Sequence, residues 1–287
     1  HHRGLRILGQ LVVELLGSGE IRRLAQELDL RPTKKLGQNF VIDPNTIRKI
    51  VAAADLSPRD KVVEIGPGLG SLTLGLLEKV NQLAVVEFDA RLASRLEQTL
   101  EQRASGHKCH IITADAMNVT ALPFEPDALV ANLPYNISVP VLLHFMETFP
   151  TLKKGLVLVQ AEVAARLIAP PGSKTYGSPS AKLAWYAKAS SGGVVSRNIF
   201  WPIPNVDSAL VYFEKRDEEF PQHLRHEVFR VIDGAFAQRR KTLRQALADW
   251  AGSPAEAERL LVEAGISPQA RGEDLIIEDF VRLASKK

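Results

Sequence analysis

The chain has 287 residues, 45% of them hydrophobic and 24% charged, which is typical of a globular protein with two domains. Its formal net charge is only +3, so a nucleic-acid partner would have to bind through a local basic surface. A single cysteine, Cys109, excludes an internal disulfide and a zinc cluster and indicates a reducing compartment. No apolar run approaches the roughly 20 residues of a membrane span, and we expect a cytoplasmic protein.

The region before the first clear strand combines two helical patterns with a basic loop. Residues 1–20 show no clear period and are interpreted as an N-terminal extension. Helical spacing over 20–28 predicts a first helix. Asp43 and Pro44 predict the start of a second, because Asp is a favourable N-cap and Pro is tolerated at the first helical position. The loop between them carries the cations Arg31, Lys34 and Lys35.

Apolar runs alternate with helical patterns in the next part of the chain. This alternation predicts a mainly parallel sheet with helices on both faces. The predicted strands cover residues 61–65, 82–86, 110–113, 127–131, 155–160, 193–198 and 208–214. The predicted helices between them cover residues 71–79, 90–102, 139–148, 160–168 and 180–187.

Beyond Pro221 every periodic segment is helical. The predicted helices there cover residues 222–237, 239–249, 254–264 and 274–284. We therefore predict an α/β domain over residues 21–215 and a small all-α domain over residues 216–287.

A glycine-rich loop follows the first predicted strand, and acidic residues end three successive strands. The loop, from Glu64 to Gly70, has the spacing G-x-G-x-G, whereas nicotinamide dinucleotide folds prefer G-x-G-x-x-G. Glu87 stands where an acid binds the hydroxyls of a ribose, and Asp115 can accept a hydrogen bond from an adenine amino group. Because this acidic rim would repel a pyrophosphate, it suits a cationic, ribose-bearing adenine ligand. S-adenosylmethionine fits this description, and NAD does not.

The segment Asn132-Leu133-Pro134-Tyr135 follows the fourth predicted strand, at the position where open α/β sheets bind ligands. The Asn132 amide oxygen and the Leu133 carbonyl can accept hydrogen bonds from an exocyclic amino group, and Pro134 has no competing N–H. The Tyr135 ring can stack on a flat base. The alternative is that Pro-Tyr merely ends a strand and packs against the core.

Together these segments resemble the ribosomal RNA adenine N6-dimethyltransferase family. The resemblance rests on residues 38–41, 64–70, 87, 114–116 and 132–135. Later segments are similar to the KsgA (RsmA) branch of the family, and they cover residues 160–166, 176–177, 200–208, 236–243 and 270–273. The chain departs from the family pattern at Ala161, where Lys is usual, and at Pro179, where Leu is frequent.

The resemblance implies an α/β fold, with a class I (Rossmann-like) S-adenosylmethionine-dependent methyltransferase domain and a small all-α C-terminal domain. It implies S-adenosylmethionine as methyl donor, S-adenosylhomocysteine as product, and no metal. The implied substrate is two adjacent adenosines in the 3′-terminal hairpin of small-subunit (16S) ribosomal RNA, each dimethylated at N6. The expected partner is an immature small ribosomal subunit, and we expect a monomer that binds no membrane.

The resemblance also implies roles for individual residues. The residues expected to bind or line the cofactor are Gln38, Asn39, Val41, Glu64, Gly66, Gly68, Glu87, Phe88, Asp115, Ala116 and Asn132. The expected catalytic residues are Asn132, Leu133, Pro134, Tyr135 and Phe200. In this scheme Tyr135 and Phe200 sandwich the target adenine, although Phe200 could instead pack against the sheet edge. Independently of the resemblance, the clustering of cations in two stretches predicts RNA phosphate contacts, with a solvated surface as the alternative. The residues are Arg31, Lys34, Lys35, Arg239, Arg240, Lys241 and Arg244.

Three other functions compete with this interpretation. The Erm type methylates an adenosine of the large subunit, and segments 160–166 and 176–177 argue against it. Methyltransferases of DNA amines or protein glutamine usually carry Pro where this chain has Leu133. A ribosome-assembly or transcription factor could keep the fold without catalysis, but Glu87, Asn132 and Tyr135 are all present.

Overall fold

The computed structural model describes residues 6–7, 10–30 and 39–287, and a seven-stranded sheet forms its centre. The strands are β1 (Arg6–Ile7), β2 (Gln10–Leu11), β3 (Phe40–Val41), β4 (Lys61–Ile65), β5 (Gln82–Glu87), β6 (Lys108–Thr113), β7 (Ala128–Asn132), β8 (Lys154–Gln160), β9 (Ala187–Val195), β10 (Phe200–Trp201) and β11 (Ser208–Lys215). The central sheet has the order β6-β5-β4-β7-β8-β11-β9. Two short antiparallel pairs, β1 with β2 and β3 with β10, lie outside it.

The helices follow the strands in alternation and then dominate the last part of the chain. They are α1 (Ser18–Glu27), α2 (Pro44–Ala53), α3 (Ser71–Leu77), α4 (Ala90–Arg103), α5 (Ser138–Thr148), α6 (Ala161–Ile168), α7 (Ser178–Tyr186), α8 (Arg225–Ala237), α9 (Leu243–Ala246), α10 (Ala248–Ala251), α11 (Pro254–Glu263) and α12 (Ile277–Ala284). The predicted N-cap of α2 is present, since the Asp43 side chain accepts a hydrogen bond from Asn45 N. Within the described residues, no helix combines the length and apolar character needed to cross a membrane.

The order of the parallel strands decides where a ligand can bind. β4 pairs in parallel with β5 on one side and with β7 on the other. The chain therefore runs outward from β4 to β6 and then returns to the opposite side of β4 as β7. Open α/β sheets bind ligands at the carboxyl ends of the strands where the order reverses. Here that position lies between the ends of β4 and β7.

The inner strands are buried on both faces, and this explains their composition. Val62 and Val63 of β4, Val85 of β5, and Leu129 and Val130 of β7 have no solvent exposure. A parallel strand covered by helices on both sides needs an almost continuous apolar run, and β-branched residues pack well there. Six predicted strands of the sheet are present with ends within two residues of the prediction.

The chain divides into two compact units. The first contains the described residues up to Ala164 together with Ser190–Phe213, and the second contains Ala165–Ala189 and Glu214–Lys287. The second unit has its own core, in which the Trp185 and Phe220 rings lie 5.2 Å apart. The predicted domain limits had assigned residues 165–189 to the first domain, whereas they pack here with the later helices. The domain limits at residues 20 and 215 stay predictions.

Two predicted elements differ from the structure. The edge strand β9 spans Ala187–Val195, and the predicted strand at 193–198 was therefore placed too late. The segment was missed because its alanines, serines and glycines favour no strand. It forms a strand next to β11, where a Cβ on Gly192 would lie 2.8 Å from Leu210 Cβ. The predicted helix at 239–249 begins only at α9, since Thr242 has an extended backbone.

Candidate active site

A cavity of about 610 Å³ lies at the carboxyl ends of β4, β5, β6 and β7. Its volume lies in the range of small-molecule and cofactor sites, roughly 300–1,000 Å³. The cavity occupies the position where the strand order reverses, as the topology requires. The residues that line it after these strands include Gly66, Gly68, Glu87, Phe88, Ala114, Asp115, Ala116, Asn132 and Pro134.

The glycine-rich loop forms one wall of the cavity. Gly66 has φ of +67° and Gly68 has φ of +58°, and L-residues rarely adopt this conformation. A Cβ on Gly68 would lie 3.1 Å from Cε1 of Phe40, so the loop also has little room for a side chain. The Gly68 N–H donates to Glu87 Oε1 at 3.2 Å. Glycine at these two positions therefore allows the loop backbone to lie directly against Glu87 at the end of β5 and to form part of the cavity wall.

Glu87 is held by backbone groups at the end of β5. Its carboxylate accepts hydrogen bonds from Gly68 N at 3.2 Å and from Asp89 N at 2.9 Å. Burial raises the pKa of this carboxyl, and the backbone hydrogen bonds from Asp89 and Gly68 oppose that shift. Each carboxylate oxygen can accept more than one hydrogen bond. Glu87 can therefore accept further hydrogen bonds from two neighbouring hydroxyls of a ribose.

Glu64 is the most deeply buried carboxyl of the cavity. It is 1% exposed and accepts a hydrogen bond from the Thr73 hydroxyl at 2.5 Å. Burial raises its pKa to about 8, against the lowering effect of Thr73, and the neighbouring Glu87 raises it further. Glu64 therefore retains a proton near neutral pH in the protein alone. A cation in the cavity would favour its ionised form.

Asp115 begins a short 3₁₀ turn, Ala116–Asn118, at the third acidic strand end. Its carboxylate accepts a hydrogen bond from Met117 N at 2.9 Å, and Asp115 and Ala116 line the cavity. Phe88 also lines the cavity and is 73% exposed, so its ring is available to a ligand. Acids from the ends of three strands thus line one cavity, and their role in cofactor binding stays a prediction.

One buried hydroxyl at the cavity indicates that a polar ligand fits there. Ser71 lines the cavity, and its Oγ has no hydrogen-bond partner among the described residues. An unsatisfied buried hydroxyl is unfavourable by about 1–3 kcal/mol. A ligand with a polar end beside α3 would supply the missing partner after rotation of this side chain. Together with Glu64, which also lines the cavity, this fits the polar, cationic amino-acid end of S-adenosylmethionine.

The segment Asn132–Tyr135 has its first side chain fixed in one orientation. The Asn132 side-chain NH₂ donates to the Asn39 carbonyl at 3.2 Å, which leaves the amide oxygen as an acceptor. Asn132 and Pro134 line the cavity, while Leu133 is buried and its N–H donates to Leu158 O at 3.1 Å. The backbone of this segment is therefore tied to β8.

The two predicted stacking residues differ in accessibility. Tyr135 is half-buried, and its hydroxyl lies 3.0 Å from Ser208 Oγ, which holds the ring in place. Burial raises the pKa of the Tyr135 hydroxyl. Phe200 is 1% exposed and pairs with Val41 in the ladder of β10 and β3. Neither ring is among the cavity-lining residues of the described chain. Stacking by Phe200 stays a prediction that requires the ring to become exposed.

The basic segment Arg239–Arg244 contains cations that bind other protein groups and cations that are exposed to solvent. The Arg239 guanidinium donates to the carbonyls of Tyr176 at 2.5 Å and Lys174 at 2.7 Å, and it also contacts Glu273. Arg244 Nε lies 3.5 Å from Glu258 Oε2. The side chains of Arg240 and Lys241 are exposed. Gln38, Arg31, Lys34 and Lys35 lie outside the described residues.

Several cavity residues were not predicted from the sequence. Asn136 and Ile137 line it directly after Tyr135, and the continuation of that motif could have indicated them. Phe40, Leu72 and Leu92 come from three separate elements, and no local signal in the sequence connects them. No group of three or more His, Cys, Asp or Glu side chains arranged to hold a metal was found within residues 6–7, 10–30 and 39–287.

Comparison with known proteins identifies the family. The model of the family described as ribosomal RNA adenine dimethylase matches residues 30–287. The chain belongs to this family. Ribosomal RNA small subunit methyltransferase A of Arthrobacter sp. (strain FB24) is 56% identical over 281 residues, covering 97% of this chain and 95% of the relative. The protein of that name from Streptomyces coelicolor is 56% identical over 277 residues, covering 95% and 97% of the two chains.

Solved structures show the same fold. A dimethyladenosine transferase from Plasmodium falciparum has a TM-score of 0.72 at 24% identity, covering 84% of this chain and 94% of that chain. The 23S rRNA methyltransferase ErmE has a TM-score of 0.65 at 25% identity, covering 86% and 99%. The predicted family and fold class are confirmed: this is a class I S-adenosylmethionine-dependent methyltransferase with a small helical C-terminal domain.

Proposed function

We propose that the protein transfers methyl groups from S-adenosylmethionine to N6 of two adjacent adenosines in the 3′-terminal hairpin of 16S ribosomal RNA, giving N6,N6-dimethyladenosine. The observation that carries this proposal is the Asn132 amide, whose NH₂ is bound to Asn39 O so that its oxygen can accept an N6–H. The relatives support the small subunit as substrate, because those at 54–56% identity carry that subunit in their names. ErmE, named for 23S RNA, is only 25% identical.

The cofactor would be bound by the acids of the cavity. Glu87 would accept hydrogen bonds from the ribose hydroxyls, and Asp115 from the adenine amino group. Glu64 would become ionised beside the cationic amino-acid end, and the Ser71 hydroxyl would gain a partner there. S-adenosylmethionine, when bound, supplies a methyl group already activated by the positive sulfur.

Catalysis would rest on positioning and on charge stabilisation rather than on a strong base. The N6 lone pair of adenine is delocalised into the ring and is a poor nucleophile. The Asn132 side chain and the Leu133 carbonyl would accept hydrogen bonds from the two N6–H groups. These hydrogen bonds would favour a pyramidal nitrogen and stabilise the positive charge that develops on it. Tyr135, held through Ser208, would stack on the extruded base. A displacement of this kind on a sulfonium methyl needs no Lewis acid, so we expect no metal requirement.

The RNA would be bound through phosphate contacts of basic side chains. Arg240 and Lys241 are exposed and suit this role, while Arg239 and Arg244 already contact protein carbonyls or carboxylates. Arg31, Lys34 and Lys35 are proposed as a second basic segment. We further propose a cytoplasmic monomer that acts on immature small subunits and contributes to their biogenesis.

The test is methyl transfer to defined acceptors. The protein would be incubated with labelled S-adenosylmethionine and under-methylated small subunits, with large subunits and DNA in parallel, and the label mapped by nuclease digestion and mass spectrometry. Dimethyladenosine in the small-subunit hairpin alone is expected. Label in large-subunit RNA would contradict the proposed substrate, and tight small-subunit binding without label would favour a non-catalytic assembly factor.

A further inference from the structure

A histidine outside the cavity connects two of its walls. His144 lies on α5 and is partly buried, and its Nε2 lies 2.8 Å from the Val119 carbonyl oxygen. Val119 ends the 3₁₀ turn that Asp115 begins. The contact therefore joins α5 to the segment that carries one of the acidic residues of the cavity.

The geometry defines the tautomer of this histidine. A carbonyl oxygen can only accept a hydrogen bond, so His144 Nε2 must carry the proton. The Thr148 hydroxyl lies 3.4 Å from Nδ1 and can donate to that unprotonated nitrogen. Both ring nitrogens thus have a partner of the correct type, and the ring is fixed between α5 and Val119.

The sheet itself does not link these two walls directly. Asp115 follows β6, whereas Asn132 ends β7, and β5 and β4 lie between those strands in the sheet. α5 begins at Ser138, immediately after the cavity residues Asn136 and Ile137. The packing of α5 on the 3₁₀ turn, with the His144 hydrogen bond, therefore provides the direct connection between them.

We propose that His144 is a positioning residue that holds the Asp115–Val119 segment against α5 and so sets the spacing of the cavity. The proposal rests on the proposed function, because it assigns the adenine end of the cofactor to the Asp115 wall. His144 touches neither cofactor nor RNA in this scheme. Its effect is on how well the adenosine part of S-adenosylmethionine is bound.

Two substitutions separate the hydrogen bond from simple packing. Glutamine places its side-chain nitrogen as many bonds from the backbone as His Nε2, so His144→Gln retains the donor to Val119. Asparagine is one bond shorter and matches only the Nδ1 position, so His144→Asn loses that donor. We expect the dissociation constants of S-adenosylmethionine and S-adenosylhomocysteine, measured by calorimetry, to rise together by about 3- to 10-fold in His144→Asn. They should stay within about 2-fold of the unmodified protein in His144→Gln.

A matched control uses a similar bond far from the cavity. The Thr151 hydroxyl donates to Pro126 O at 2.7 Å, and Pro126 precedes β7, at the opposite end of that strand from Asn132. Thr151→Val should lower the melting temperature without changing the affinity for either ligand. In rate measurements, His144→Asn should raise KM for S-adenosylmethionine more than it lowers kcat, whereas a general loss of folded protein would lower the apparent kcat and leave KM unchanged.

Two results would overturn the proposal: unchanged affinities in His144→Asn, or equal losses in the Asn, Gln and Thr151→Val proteins. Calorimetry with the cofactor needs no RNA, so its outcome is independent of the RNA substrate. Label in large-subunit RNA would contradict the proposed substrate while leaving the role of His144 intact. Unchanged calorimetric affinities beside normal small-subunit methylation would contradict the role of His144 alone.

Discussion

The acidic cavity of the first unit and the basic segment Arg239–Arg244 of the second use their charged side chains differently. In the cavity, Glu87 has backbone partners but can still accept further hydrogen bonds. In the basic segment, Arg239 donates to several carbonyls of residues 173–176 and to Glu273. Remaining hydrogen-bonding capacity, rather than residue type, therefore decides which charged residues can bind a ligand.

The largest expected effect concerns the acceptor oxygen of Asn132. Asn132→Ala should lower kcat by about 1,000-fold or more, because an acceptor for the charge that develops on N6 is lost. S-adenosylmethionine affinity should change only a few fold, as measured by calorimetry. Exposed Asn81, beside the amino end of β5, provides the control, and Asn81→Ala should keep the full rate. Near-normal turnover of Asn132→Ala would contradict the assignment of the cavity as the active site.

The second prediction distinguishes a cation that stabilises the fold from cations that are available to bind RNA. Replacing Arg240 and Lys241 by Ala should weaken small-subunit RNA binding and reduce the slope of log affinity against log salt by about 1.5, because each lost phosphate contact lowers it by about 0.7–0.9. Arg239→Ala should instead lower the free energy of unfolding by about 1–3 kcal/mol, because the carbonyl of the buried residue Tyr176 loses its donor.

Filter binding across a salt series and thermal denaturation measure these two effects. If Arg239→Ala leaves stability unchanged but flattens the salt dependence, the contrast between the two kinds of cation is wrong. A loss of stability in the Arg240/Lys241 double variant equal to that of Arg239→Ala would contradict it as well.

The third prediction is a pH dependence caused by Glu64. Its pKa is raised from 4.5 to about 8, so between these values the folded protein holds a proton that the unfolded chain releases. The free energy of unfolding should therefore fall with rising pH over this window, by up to about 1.4 kcal/mol per pH unit. Affinity for the cationic cofactor should rise over the same window, since ionised Glu64 attracts it.

Denaturant titrations and calorimetry from pH 5 to pH 8 test this prediction. Glu64→Gln should remove the contribution of Glu64 to the pH dependence of the unfolding free energy and of the cofactor affinity. Glu97→Gln, on the exposed face of α4, should retain both pH dependences. Identical pH slopes in the two variants would show that Glu64 does not hold the proton.

Much of the fold could be predicted because its signals are local. The apolar runs of β4 to β8 and the helices between them follow from periodicity, and Asp43 with Pro44 marked the start of α2. β9 could not be predicted, because its conformation comes from its place at the sheet edge next to β11 rather than from strand-favouring residues. The assignment of residues 165–189 to the second unit likewise depends on contacts distant in sequence, such as Trp185 with Phe220.

For the site, the chemical groups could be identified from the amino-acid sequence alone, because each stands at the end of a strand in a recognisable motif. Glu64, Glu87, Asp115 and Asn132 were all found around one cavity, as parallel strands require. The orientation of those groups and the availability of the cations to a ligand depend on tertiary contacts. The orientation of Asn132 depends on Asn39, the connection of the walls on His144 with Val119, and the anchoring of Arg239 on Tyr176. Each of these contacts joins residues at least 25 positions apart, and no local pattern encodes such a pair.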